Sequence, residues 1–147
     1  MMGWEAFVTV QPEYHLLERA IERELIPYCQ WARVGILPYY PLAGGFLTGK
    51  YQRGEAPPPG SRGESSPYVQ KYFTDANFNV MDKLTAFAAE RGHTVGELAI
   101  AWLLGQPQVC CVISGATTPE QVTANAATAG WALTAEELKE IRGWLEG

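Results

Sequence analysis

The chain has 147 residues, 47% of them hydrophobic, and a formal net charge of −5. That is the length of one ordinary domain with enough apolar side chains for a real core. The acidic balance speaks against a nucleic-acid surface, which needs a basic patch, and no apolar run reaches the ~20 residues of a membrane span.

The opening Met1-Met-Gly-Trp-Glu5 lacks the basic-then-apolar pattern of a secretion leader. Three cysteines, two of them adjacent at Cys110 and Cys111, read as buried free thiols rather than as a disulfide or a metal site. The expected setting is the cytoplasm, with no membrane or nucleic-acid partner.

Residues 7–10 form a short β-rich run that ends at Gln11. A turn near Leu17 is expected next, then a helix whose first turn accommodates Pro27 and which ends before Gly35. Residues 34–37 read as the second strand. Residues 43–78 hold most of the glycine and proline, show no period, and are expected to be a lid or binding loop. Asn79 is expected to cap a helix over 80–91 that stops at Gly92. Thr94-Val-Gly-Glu97 is a capping box opening a helix through Trp102, with Pro107 beyond its end. Residues 109–113 are continuously apolar, as in a strand covered on both faces. Thr118-Pro-Glu-Gln121 and Thr134-Ala-Glu-Glu137 read as two more capping boxes, heading helices near 119–129 and 135–146.

Strands alternating with helices imply parallel strands joined by helical crossovers. No G-x-G-x-x-G follows the first strand, which disfavours a doubly wound sheet. The expected fold class is α/β: one partial (β/α)8 barrel domain over 1–147, with about three parallel strands and flanking helices. Three strand ends (Gln11, then Tyr39-Tyr40, then Ser114-Gly115) each hand over to a loop, the usual place for ligand chemistry in such folds. Three strands cannot close a barrel, so both outer strands expose hydrogen-bonding edges and invite self-association or a complementary half.

Three segments carry a specific resemblance. Val8-Thr-Val-Gln-Pro-Glu-Tyr-His-Leu-Leu17, Tyr39-Tyr-Pro-Leu-Ala-Gly-Gly-Phe-Leu-Thr-Gly-Lys-Tyr51 and Ile113-Ser-Gly-Ala-Thr-Thr-Pro-Glu-Gln-Val-Thr-Ala-Asn125 resemble the C-terminal half of the aldo-keto reductases in order and spacing. Those are (β/α)8 barrels that pass a hydride between NADPH and a carbonyl. The resemblance places Gln11 on the nicotinamide carboxamide, which an amide suits as donor and acceptor. It places Tyr39 against the nicotinamide ring, and Tyr40, Leu42, Gly44 and Gly45 around ribose and pyrophosphate. Ser114, Gly115, Thr117, Thr118, Gln121 and Asn125 fall on the adenosine end, at a helix start that favours phosphate.

Two departures qualify the cofactor and the activity. The family commonly has Lys or Arg among the residues matching 115–118 and 121, to pair with a 2′-phosphate; here none is charged, which weakens the preference for NADPH, so NADPH is expected from the resemblance alone and NADH is not excluded. The family's catalytic aspartate, tyrosine, lysine and histidine lie on earlier strands, and no residue here matches them. A tyrosine of pKa near 10 needs such a neighbour to act as an acid near neutrality, so turnover of a small carbonyl substrate is expected only with an N-terminal half. A noncatalytic module that binds a dinucleotide or a protein partner is the alternative, and an inert fragment the third reading.

Each feature also has a plainer reading. Gln11 can simply close a strand and Tyr39 can be a packed rim aromatic. Lys50 and Arg62 read as solvated loop residues, His15 as a surface or rim residue lacking a partner carboxylate, and His93 as structural. Trp31, Trp102, Trp131 and Trp144 are expected on helix faces packed outside the barrel.

Overall fold

The computed structural model describes residues 5–146; Met1–Trp4, on which the leader reading rests, and Gly147 lie outside the described residues. Strand β1 (Thr9–Val10) pairs in parallel with β2 (Gly35–Ile36), in the register Thr9↔Gly35 and Val10↔Ile36. Backbone bonds extend the pairing both ways: the N–H groups of Gly35, Leu37 and Tyr39 donate to the carbonyls of Val8, Val10 and Pro12 at 2.8, 2.9 and 3.0 Å. The expected third strand lies on the other side of β2 as two parallel bridges, Ile36↔Val109 and Tyr39↔Ile113.

Between those bridges one side advances three residues, 36 to 39, and the other four, 109 to 113. Pro38 explains the mismatch, because it has no N–H to continue the ladder. The extra residue breaks the in–out alternation of side chains, as a bulge does. The expected burial of the two cysteines fails as well: both Cys110 and Cys111 are exposed on this outer segment, which among the described residues is bridged only to the β2 side, and of the three cysteines only Cys29 is buried.

Helix α1 (Leu25–Ala32) carries Pro27 in its first turn, as expected, and buries Ile26 and Cys29 on one face. Trp31 points the other way and is 81% exposed, against the expectation that it packs. The stretch expected to be one long loop is built instead from a 3-10 turn at Ala43–Thr48, two short helices, α2 (Arg62–Ser65) and α3 (Pro67–Gln70), and the first turn of α4 (Asp75–Glu90). Thr74, not Asn79, caps α4: its Oγ1 accepts from the Asn77 N–H at 3.2 Å. Asn79 lies within the helix and accepts from Arg53 Nη2 at 2.7 Å.

Helix α5 (Val95–Leu104) opens with the expected capping box, Thr94 and Glu97 bonding each other reciprocally. Seven of its ten residues are buried, so it is the central element of the core. Helix α6 (Pro119–Ala127) continues into a 3-10 turn, Thr128–Gly130, and α7 (Ala135–Glu146) follows a second complete box at Thr134 and Glu137. Arg19 Nη2 donates to the Leu145 carbonyl at 3.0 Å, fastening α7 to the segment after β1. No described helix is long and apolar enough to cross a membrane.

Candidate functional site

The pairing pattern puts three strand ends side by side. Glu13 bridges Tyr39, and Tyr39 bridges Ile113, so the segments carrying Gln11, Tyr39 and Ser114 lie at one end of the sheet. Gln11 is exposed and Tyr39 is 37% exposed, an aromatic face left open at the rim. Ser114 Oγ is buried without a hydrogen-bond partner. A buried hydroxyl left unpaired is costly unless something else satisfies it.

Tyr40 has a positive φ of 62°, and its ring stands edge-on to Tyr39, with centres 6.1 Å apart. It stands edge-on to Tyr68 at 5.1 Å, and the Arg62 guanidinium lies 5.9 Å from its ring centre. Leu42 is half-buried beside it. Gly44 and Gly45 adopt φ of 67° and 104°, left-handed backbone that favours glycine. A Cβ at Gly44 would also lie 2.6 Å from Val69 Cγ2, and one at Gly45 would lie 3.1 Å from Lys50 Nζ. The 43–48 turn is therefore packed directly under α3, with an ammonium group folded against its second glycine.

At the third strand end, Gly115, Thr117 and Thr118 are exposed and Asn125 is half-buried. A shallow groove of about 570 Å3 runs past Ala116, Thr117, Thr118, Pro119, Val122 and Thr123. Two backbone donors there are already used. Thr117 N–H donates to Gln121 Oε1 at 2.8 Å, and Gln121 N–H donates to Thr118 Oγ1 at 3.4 Å. Gln121 thus turns back onto Thr117, rather than closing a box on Thr118. Glu120 sits in the first turn of α6, its carboxyl held below the usual range by a backbone N–H and the Thr118 hydroxyl. A second cavity, about 400 Å3 between the 16–19 segment, α4 and α7, shares no residue with the strand ends.

One cluster was not legible beforehand. His15, expected at the surface without a carboxylate, is fully buried. Its Nε2 lies 3.1 Å from Tyr72 Oη and 3.4 Å from Glu13 Oε1, while Nδ1 accepts the Leu17 N–H at 3.2 Å. Glu13, two residues earlier, was the available signal. Lys71 lies over the rings of Tyr68 and Tyr72 at 3.9 and 4.8 Å. A tyrosine, a histidine, a lysine and a carboxylate therefore meet, but not as a proton donor. Burial, then the Glu13 charge, pushes the Tyr72 hydroxyl well above its ordinary pKa, and the ammonium faces ring carbons. His93 stacks on Trp131 with ring centres 3.9 Å apart, a packing role.

The sequence model of the Aldo/keto reductase family matches residues 2–146. The chain belongs to the aldo/keto reductase family. It is 35% identical over 126 residues to a probable voltage-gated potassium channel subunit beta of Oryza sativa subsp. japonica, an alignment covering 80% of this chain and 37% of that protein. It is 33% identical over 118 residues to the NADH-specific methylglyoxal reductase of Escherichia coli (strain K12), covering 80% and 36%. The structure of a glycerol dehydrogenase from Gluconobacter oxydans superposes with a TM-score of 0.76 at 34% identity, over 93% of this chain and 42% of that one. The chain thus spans roughly two fifths of the length of these relatives. Its fold is part of a (β/α)8 barrel, as expected, in a family of oxidoreductases that use nicotinamide dinucleotides.

Proposed function

We propose that this aldo/keto reductase chain is the dinucleotide-holding side of a carbonyl–alcohol oxidoreductase, a single partial barrel domain over 1–147 that does not turn over alone. The observation that carries the reading is the convergence of Gln11, Tyr39 and Ser114 at one end of the parallel sheet, with the Ser114 hydroxyl buried and unpartnered. In this reading Gln11 binds the carboxamide, and Tyr39 offers its open face to the nicotinamide. The turn with Leu42, Gly44 and Gly45, beside Tyr40, lies along the pyrophosphate. Ser114, Gly115, Thr117, Thr118, Gln121 and Asn125 take the adenosine end. The bound dinucleotide would supply the hydride.

Charge bears on which dinucleotide binds. The 115–121 stretch has no cation, and Glu120 already brings a carboxylate to the helix start. A 2′-phosphate gains nothing there, so NADH is expected to bind at least as well as NADPH. The NADH-specific E. coli relative is consistent with that. Fluorescence titration of the purified chain checks it: both dinucleotides are expected to saturate, without aldehyde reduction. Tyr39→Ala is expected to weaken both about 2- to 12-fold, the equivalent of ~0.5–1.5 kcal/mol of aromatic stacking. Absence of saturable binding, or brisk reduction by this chain alone, would remove the reading.

A partner-binding role is favoured by a separate observation. Phe7 and Val8, leading into β1, are 90% and 75% exposed, and Ile113 on the opposite side of the sheet is 41% exposed. Apolar side chains on unpaired strand edges are templates for another chain. Sedimentation velocity at two concentrations is expected to show reversible self-association through these edges. A compact monomer throughout the range would dismiss it.

A further inference from the structure

The proposed cofactor site touches two segments with no reason, from local sequence, to hold a fixed relation: the strand ends and residues 61–73. Three contacts join them. Val69, fully buried on α3, lies against Gly44. Tyr68 packs edge-on to Tyr40. His15, on the segment after β1, meets Tyr72.

The His15 contact has a defined direction. Because Nδ1 accepts the Leu17 N–H, the neutral ring carries its proton on Nε2, the nitrogen facing Tyr72 and Glu13. Nε2–H then donates to Tyr72 Oη at 3.1 Å, and the tyrosine hydroxyl lies 3.5 Å from Glu13 Oε1 as donor. Glu13 is the residue whose backbone bridges Tyr39. One buried imidazole thereby ties the segment pressing on Gly44 to the segment carrying the nicotinamide platform.

We propose that His15 is a positioning residue for dinucleotide binding: by its Nε2–Tyr72 bond it holds α3 and the following turn against the Gly44 loop while fixing the Glu13–Tyr39 strand end. The proposal rests on the dinucleotide reading above for its ligand, but not for the tether itself. Arg62 and Lys71, stacked on Tyr40 and on Tyr68 and Tyr72, sit on the tethered segment and move with it. Release of the tether would loosen the pyrophosphate and nicotinamide sides together.

The two nitrogens of His15 can be separated by substitution. His15→Asn keeps an acceptor where Nδ1 stands and is too short to reach Tyr72. His15→Gln reaches Tyr72 with an amide N–H and gives up the Leu17 bond. Hydrogen exchange of residues 67–73 and NADH affinity by fluorescence are measured on the full chain. The expected result is that His15→Asn speeds exchange at least 10-fold and weakens NADH at least 10-fold, whereas His15→Gln stays within about 3-fold of wild type in both. A residue that only shapes the 15–18 turn gives the reverse order, and that order overturns the proposal. Tyr72→Phe keeps the aromatic packing and removes only the hydroxyl, so it must reproduce His15→Asn even if a His15 variant does not fold. If wild-type chain binds no NADH, the dinucleotide reading fails and the positioning role for binding falls with it; the exchange data then decide the tether alone.

Discussion

Trp102→Ala is expected to lower the unfolding free energy by about 3–5 kcal/mol, the range for a large aromatic removed from a packed core. Urea denaturation read by far-UV circular dichroism checks this, with the transition shifted far down or lost. The size follows from position. Trp102 is 1% exposed, on the helix whose Val95, Leu98, Ala99, Ile100, Ala101 and Leu103 are buried as well. Its ring meets Tyr14 with centres 5.3 Å apart and planes at 56°. Tyr14 in turn donates its hydroxyl to Glu22 Oε1 at 2.8 Å. The indole therefore joins α5 to the segment between β1 and α1, and alanine leaves a cavity that neither can collapse into without breaking its own contacts. Marginal domains hold only about 5–15 kcal/mol in total, and a three-stranded fragment with open edges belongs at the low end. A loss below about 1 kcal/mol would mean that α5 is not the central element.

Local signals proved readable where a few adjacent residues decide the outcome. The boxes at Thr94 and Thr134 form as their spacing suggests, because both partners lie within one helical turn. The strand ends at Gln11, Tyr39 and Ser114 were legible for the same reason: a β-rich run followed by a turn is a local pattern. What escaped was set by distant partners or by length. Helices α2 and α3 have four residues each, too few to display a 3.6-residue period. Asn79 resembles a cap as much as Thr74 does, and only Arg53, reaching across from the loop, commits its side chain elsewhere.

The exposed cysteines and the buried histidine mark two further limits. Residues 109–113 have the composition of a fully covered strand, yet among the described residues they are bridged on the β2 side alone, and composition does not report which neighbours are present to cover them. His15 owes its burial to Tyr72, 57 residues later, which no window around His15 contains. The same holds at the adenosine end: Thr118-Pro-Glu-Gln121 announces a helix start, but which backbone N–H the Gln121 amide accepts is decided by the turn at Thr117. In the candidate site, strand positions were thus readable from sequence, while the segment packed against them was not.

That buried histidine also gives the protein an acid sensitivity beginning well above the carboxylate range. Burial, then the nearby Lys71 charge, pushes the His15 pKa down to about 3 from an ordinary 6.5. The native ring stays neutral as pH falls, whereas the unfolded chain takes up a proton at about 6.5. Below that pH the unfolded state binds more protons than the native one, so His15's contribution to stability is complete above about 6.5 and lost progressively toward 3. The limiting slope is ~1.4 kcal/mol per pH unit, so about 2 kcal/mol should be lost between pH 6.5 and 5. Glu97 and Glu137 join later. Their carboxyls are held below the usual range, first by the backbone N–H groups of Thr94 and Thr134, so their stabilisation is present above the unfolded pKa and disappears as pH drops through the native values. Urea midpoints at pH 8, 7, 6 and 5 should be level in the first two and decline across the others. In His15→Gln, with no titrating ring, the decline between 6.5 and 5 should flatten. An unchanged slope in that variant would assign the acid limb to other groups and deny His15 its neutral, buried state.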